Sequence, residues 1–185
     1  MSRFTFHTLE TAPAASQSLL QNSVKAFGRI PGLHQVMAES PPLLEGYQLL
    51  HKLFQETSFD AEELTVVWQT INVEHECHYC VPAHTGIAHM MKVDPSLNEA
   101  LRNGEAMPTP KLQALHETTL EMVRNRGHLS DETIEAFFAA GYGPKQLLEI
   151  NLGLAQKVMS NYVNHYAETP VDSIFQRYEW EKKSA

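Results

Sequence analysis

The stretch Glu74-His-Glu-Cys-His-Tyr-Cys-Val-Pro-Ala-His84 holds both cysteines of the chain, Cys77 and Cys80, with His84 four residues after the second. Placed on a helix at about 100° per residue, with Cys77 at zero, Cys80 falls at about 300° and His84 at about 340°. The three side chains share one narrow face, while His78, at about 100°, points elsewhere. Pro82 restricts where that helix can begin, because a proline ring clashes with the preceding turn in a helix interior. A start around residues 78–80 accommodates it and puts the cysteines at the helix N-terminus, where free N–H groups and the dipole stabilise a thiolate.

Outward from this stretch the chain reads as helical. Asp60 with Glu63 has the form of a capping box, opening the segment that leads into the cysteines. Leu64, Val67, Trp68 and Ile71 follow the i, i+3, i+4, i+7 pattern, which outweighs the β-branched content of 64–73. Prolines follow capping residues at Ser40-Pro41, Asp94-Pro95, Thr109-Pro110, Gly143-Pro144 and Thr169-Pro170. Each reads as a helix start, since proline at the first helical position loses nothing there. Helices are expected at 12–27, 32–39, 41–56, 61–74, 79–91, 95–103, 110–126, 131–140, 144–167 and 171–182. In the helix of 144–167, Leu147, Ile150, Leu154 and Val158 share a face. The fold class is all-α, a bundle of about 8–10 helices packed antiparallel through short loops. We read 1–185 as one domain, a helical N-terminal part at 1–58 and a core at 59–185 with the cysteine motif.

Composition narrows the function. The 185 residues are 43% hydrophobic and 19% charged, which fits a globular domain rather than disorder. A net charge of −8 with no Lys/Arg stripe argues against a nucleic-acid partner. No apolar run is long enough to span a membrane, and the N-terminus lacks the pattern of a secretory signal. A cytoplasmic location is the expectation, and there two close cysteines are catalytic or metal-binding more often than a structural staple.

Three readings of the cysteine pair follow from the residues alone. Two buried small hydrophobes are the blandest. Zinc is a second, with Cys77, Cys80, His84 and His89 of suitable ligand types, although His89 lies about 140° from His84 on one helix. The third is thiol redox chemistry. A free thiol is only about 3% ionised at pH 7, and lowering its pKa to roughly 6 requires about 3.4 kcal/mol of differential stabilisation. A helix terminus supplies about 0.3–2 kcal/mol. A further partner is required, and His84 is the one in register. Tyr79, Trp68, Phe54 and Phe59 either line an apolar approach to the thiols or pack the core. Asn161 and His165 face either the site or a subunit interface.

The stretch 76–84, preceded by a capped apolar helix, resembles the Cys-x-x-Cys-x-x-x-His motif of the alkylhydroperoxidase AhpD-like proteins of the carboxymuconolactone decarboxylase superfamily. The motif covers about residues 59–91. Leu129-Ser-Asp-Glu, Gly141, Asn161-Tyr-Val-Asn-His165 and Thr169-Pro-Val-Asp172 extend the likeness. The resemblance implies an all-helical homo-oligomer that reduces hydroperoxides, or a partner's disulfide, in antioxidant defence. It implies that Cys80 attacks the peroxide, that Cys77 resolves the product as a disulfide, and that His84 assists proton transfer. An external dithiol of thioredoxin-like or lipoyl type would restore the pair, with no cofactor or metal. The motif's relay Glu, twelve residues before the first cysteine, is here Thr65. Glu62 and Gln69 lie one turn either way, and Glu74, at the end of the helix entering the motif, is the favoured substitute. A decarboxylase-like or isomerase-like enzyme of the superfamily is one alternative; decarboxylase members do not depend on the cysteine pair, so its presence argues against that reading. A metal-binding or redox-sensing oligomer without turnover is the other.

Overall fold

Prolines open four of the helices in the computed structural model, which describes residues 3–182. They stand at the first position of α3 (Pro41–Gln55), α6 (Pro95–Asn103), α7 (Pro110–Arg124) and α9 (Pro144–Ala167). The remaining helices are α1 (Ala14–Phe27), α2 (Gly32–Met37), α4 (Ala61–Glu74), α5 (Cys80–Met90) and α8 (Asp131–Ala139). Among the described residues these nine α-helices and one short 3-10 turn, Gln176–Tyr178, are the only regular elements. The all-α expectation holds. Among the described residues no helix is long and apolar enough to cross a membrane.

The helix α4 is the hub. Its capping box is formed, with the Asp60 carboxylate accepting from the Glu63 N–H and the Glu63 carboxylate from the Asp60 N–H. Ten of its fourteen residues are buried, so packing on all sides overrides the weak helix propensity of its β-branched residues. It packs against α5, α6, α7 and α9, while α3 lies on α9, α1 on α3, and α8 on α7. One apolar cluster fills the space around α4, α6 and α7, with Trp68, Phe54, Leu115 and Phe137 at its centre. A second joins Leu20, Leu33, Met37 and Leu44 of α1–α3 to Cys77, Tyr79, Cys80 and Val163. Residues of the N-terminal part therefore pack directly on the cysteine turn.

One expected element is corrected. The helix read at 171–182 after Thr169-Pro170 is instead an irregular strap containing only the 3-10 turn. Its polar groups are committed to tertiary partners rather than to a helical ladder. The Asp172 carboxylate accepts from the Tyr79 hydroxyl at 2.6 Å and from the Gly32 N–H at 3.1 Å. The carbonyls of Tyr178 and Glu179 accept from the Arg102 guanidinium, and the Trp180 indole donates to the Arg102 carbonyl. Phe175 sits over Gly86, where an added Cβ would lie 2.4 Å from its ring.

Candidate active site

The cysteine turn is built by the way α4 stops. Glu76 adopts the left-handed conformation, φ 52°, after the cap residue His75. The N–H of Glu76 then bonds the Val73 carbonyl and that of Cys77 the Asn72 carbonyl, a paired closure that satisfies the helix end and fixes Cys77. The α5 helix begins at Cys80, so Pro82 falls in its first turn as the sequence requires. The Cys77 sulfur accepts the N–H of Cys80 at 3.3 Å, in the manner of an N-terminal cap.

Both sulfurs are buried, and both cysteines are free. Cys80 receives a hydrogen bond from the Asn164 amide at 3.3 Å. Burial alone would raise its pKa. The hydrogen bond from Cys77, the charge of Lys157, and donors from Ser160 and Asn161 outweigh it and hold Cys80 well below an ordinary thiol. Cys77 moves the opposite way, raised first by burial and then by its neighbour Cys80. Ionisation within the turn is thus favoured at Cys80 and disfavoured at Cys77.

Under this pair runs a chain of buried amides. Gln69 donates to the Asn98 side chain and accepts from Asn72; Asn72 also accepts from Asn161 at 3.0 Å and lies 3.4 Å from the Cys80 carbonyl. Asn161 reaches His75 at 2.9 Å. These contacts tie α4, the turn, α6 and α9 to one register.

His84 lies in the wall of the same site, its ring 4.8 Å from that of Trp68. Its Nε2 is 3.0 Å from the Lys157 side-chain nitrogen, while its Nδ1 is buried with no protein partner among the described residues. Burial, the Lys157 charge and His51 together hold the imidazole well below its usual pKa, so the ring is neutral. Lys157 itself is fully buried and forms no ion pair among the described residues. A buried ammonium far from any anion would be costly, and the thiolate of Cys80 is the negative charge the site offers it.

Cys80, His84 and Lys157 line a cavity of about 710 Å³ with Tyr47, Tyr79 and Phe175, a largely apolar space bounded by α1–α3, α5, α9 and the strap.

Of the residues expected from sequence, Cys77, Cys80 and His84 meet around one site. Glu74 does not join them. Its carboxylate is held in a two-pronged pair with Arg124, at 2.8 and 2.9 Å, on α7. Thr65, at the position of the expected relay Glu, donates to its own helix at the Ala61 carbonyl. His89 stacks on Tyr178, and among the described residues no three His, Cys, Asp or Glu side chains are grouped to hold a metal ion. Tyr79 lines the cavity, whereas Phe54, Phe59 and Trp68 belong to the core. Asn161 is buried at the site and His165 is exposed.

Sequence reasoning missed Lys157, Ser160 and Asn164. They belong to the deepest face of α9, which runs Gly153, Gln156, Lys157, Ser160, Asn161 and Asn164, whereas Leu147, Leu154 and Val158 are only half-buried. The signal was available as small and polar residues recurring at helical spacing.

No protein-family model and no curated protein matches this sequence. Solved structures do match. An uncharacterised peroxidase-related protein with an alkylhydroperoxidase AhpD core, from Ralstonia eutropha JMP134, has a TM-score of 0.82 at 17% identity over 94% of both chains. A peroxidase-related protein from Silicibacter sp. TM1040 gives 0.77 at 15% over 94% of both chains. A variant of the debrominase Bmp8, in complex with 2,3,4-tribromopyrrole, gives 0.79 at 15%, covering 96% of this chain and 95% of that one. The chain has the helical AhpD-like fold.

Proposed function

We propose that this protein is a thiol-dependent hydroperoxide reductase, with Cys80 as the attacking sulfur and Cys77 as the resolving one. The observation that carries the reading is the buried Cys80 sulfur at the wall of an apolar cavity, bonded by the Asn164 amide at 3.3 Å, with its ionisation favoured by Cys77, Lys157, Ser160 and Asn161. The thiolate attacks the distal peroxide oxygen. The O–O bond breaks, Cys80 becomes a sulfenic acid, and the leaving oxygen takes a proton to depart as alcohol or water. The Cys77 thiol then displaces that hydroxyl as water and closes a disulfide. An external dithiol, thioredoxin-like or lipoyl-bearing, reduces it again. The setting we infer is cytoplasmic antioxidant defence by a homo-oligomer.

A second reading is favoured by the cavity, which is far larger than hydrogen peroxide needs. The same dithiol would reductively remove halogen from an aromatic ring, in line with the debrominase neighbour.

One experiment tests both. Thiols are titrated before and after one equivalent of cumene hydroperoxide or of 2,3,4-tribromopyrrole. Loss of two thiols with the peroxide, restored by dithiothreitol and absent in Cys80→Ser, is expected. Bromide release without peroxide consumption would select the second reading, and two thiols inert to both reagents would sink the pair.

A further inference from the structure

The hydroperoxide-reductase reading leaves a question that the geometry answers: where the leaving oxygen finds its proton. The position of the relay Glu is Thr65, and Glu74 is paired with Arg124. Among the described residues no carboxylate is hydrogen-bonded to Cys80, His84 or Lys157. The site instead holds a fully buried lysine against the histidine, 3.0 Å from Nζ to Nε2.

An ammonium can only donate. With Lys157 charged, Nε2 must accept, and a neutral ring then carries its single proton on Nδ1. Among the described residues that atom is a buried donor without a protein partner, on a ring that lines the same cavity as Cys80. A buried N–H left unpaired is destabilising, and an incoming oxygen would accept from it.

We propose that Lys157, acting through His84, is the proton source of this site, so that His84 delivers a proton rather than taking one from Cys80. Lys157 is a positioning residue, and His84 is the group that meets substrate. The step balances. The Cys80 thiolate gains the distal oxygen as S–O–H, carrying the peroxide's own hydroxyl hydrogen. The leaving RO⁻ takes the Nδ1 proton of His84, and Nε2 takes a proton from Lys157. A thiolate and an ammonium become a neutral sulfenic acid and a neutral amine, so no net charge is created inside the protein. When the external dithiol reduces the Cys77–Cys80 disulfide, the proton on the Cys80 thiol passes to Nδ1 of His84 and the Nε2 proton returns to the Lys157 amine, which restores the thiolate, the ammonium and the starting tautomer. A carboxylate relay would put an additional anion beside the thiolate.

The groups facing this pair from neighbouring elements are consistent with the assignment. Cys80 is faced by Cys77 and Tyr79 on the turn, Lys157 and His165 on α9, and Tyr47 on α3. His84 is faced by Lys157 and His51, the latter kept neutral by burial and by Lys157.

The test compares wild type with Lys157→Met, which keeps the length of the side chain and removes the charge. Cys80 oxidation is timed with hydrogen peroxide, whose hydroxide leaving group needs a proton, and with peracetic acid, whose carboxylate does not. Loss of thiolate slows both alike, so the ratio of the two losses isolates proton delivery. The variant is expected to lose at least tenfold more rate with hydrogen peroxide than with peracetic acid. Equal losses overturn the proposal. A wild type inert to both oxidants would overturn the reductase reading itself, and the relay with it. Should Lys157→Met not fold, the nitrogen NMR spectrum of His84 in reduced wild type decides: a proton on Nδ1 supports the assignment, and one on Nε2 defeats it.

Discussion

The rings of His34 and His51 line the cavity as neutral groups, and that has a cost in acid. His34 is held down to about 3 by burial and by the nearby His51. Burial and Lys157 hold His51 down to about 4. In the unfolded chain both titrate near 6.5. Between that value and the folded ones the unfolded state binds more protons, so stability is complete above about pH 6.5 and falls as the pH drops, by ~1.4 kcal/mol per unit for each ring. Cys80 and His84 are also lowered and act with the same sign, so a single ring is isolated by comparison. Urea titrations at pH 7 and pH 5 should show His34→Gln losing about 2 kcal/mol less than wild type over that interval. An unchanged pH dependence would refute the burial of a neutral ring there. At this scale the local half of the site was legible, because Cys77, Cys80 and His84 sit within eight residues and one helical face. Lys157 was not, because a lysine on a long helix reads as solvated until the fold shows which face is inside.

The element that decides the site is α9, whose buried face is inverted in character. Lys157, Ser160, Asn161 and Asn164 are inside, while Leu148, Tyr162 and Tyr166 are outside. Gly153 lets this polar face approach α3 and α4, since a Cβ there would fall 2.7 Å from the Phe54 ring and 3.1 Å from Val67. Gly153→Ala should therefore cost about 1–3 kcal/mol by thermal or denaturant unfolding, despite alanine's better helix propensity. A gain in stability would show that the contact relaxes freely. Helix starts were well marked at this scale: the proline-led starts of α3, α6, α7 and α9 and the Asp60 box rest on local backbone chemistry. Thr169-Pro170 carries the same signal without a helix, because Asp172, Phe175 and Trp180 find better partners across the fold than along the chain.

At the level of the whole molecule, early and late parts of the chain meet beside the thiols. The α1–α3 segment supplies one wall of the cavity, α9 its polar side, and the strap another boundary. Composition and periodicity indicated a helical bundle, but nothing in them says which surfaces enclose a space, since that depends on contacts as distant in sequence as Arg29 with Asp172. The strap is held differently from the bundle around α4. Its ties are a few polar contacts, one ring seated over Gly86 and a stacked tyrosine. Cooperative opening of so small a unit requires far less free energy than unfolding α4 and α7. Native-state hydrogen exchange should therefore rank the amides of Phe175, Tyr178 and Glu179 as much less protected than those of Val66–Ile71, and strengthening urea should not close that gap until the bundle itself begins to melt. Equal protection in both regions would mean that the strap opens only with the bundle. Cys80 is only 2% exposed and shares its cavity with Asp172 and Phe175 of the strap, so the least firmly held part of the fold forms a wall of the space beside the sulfur.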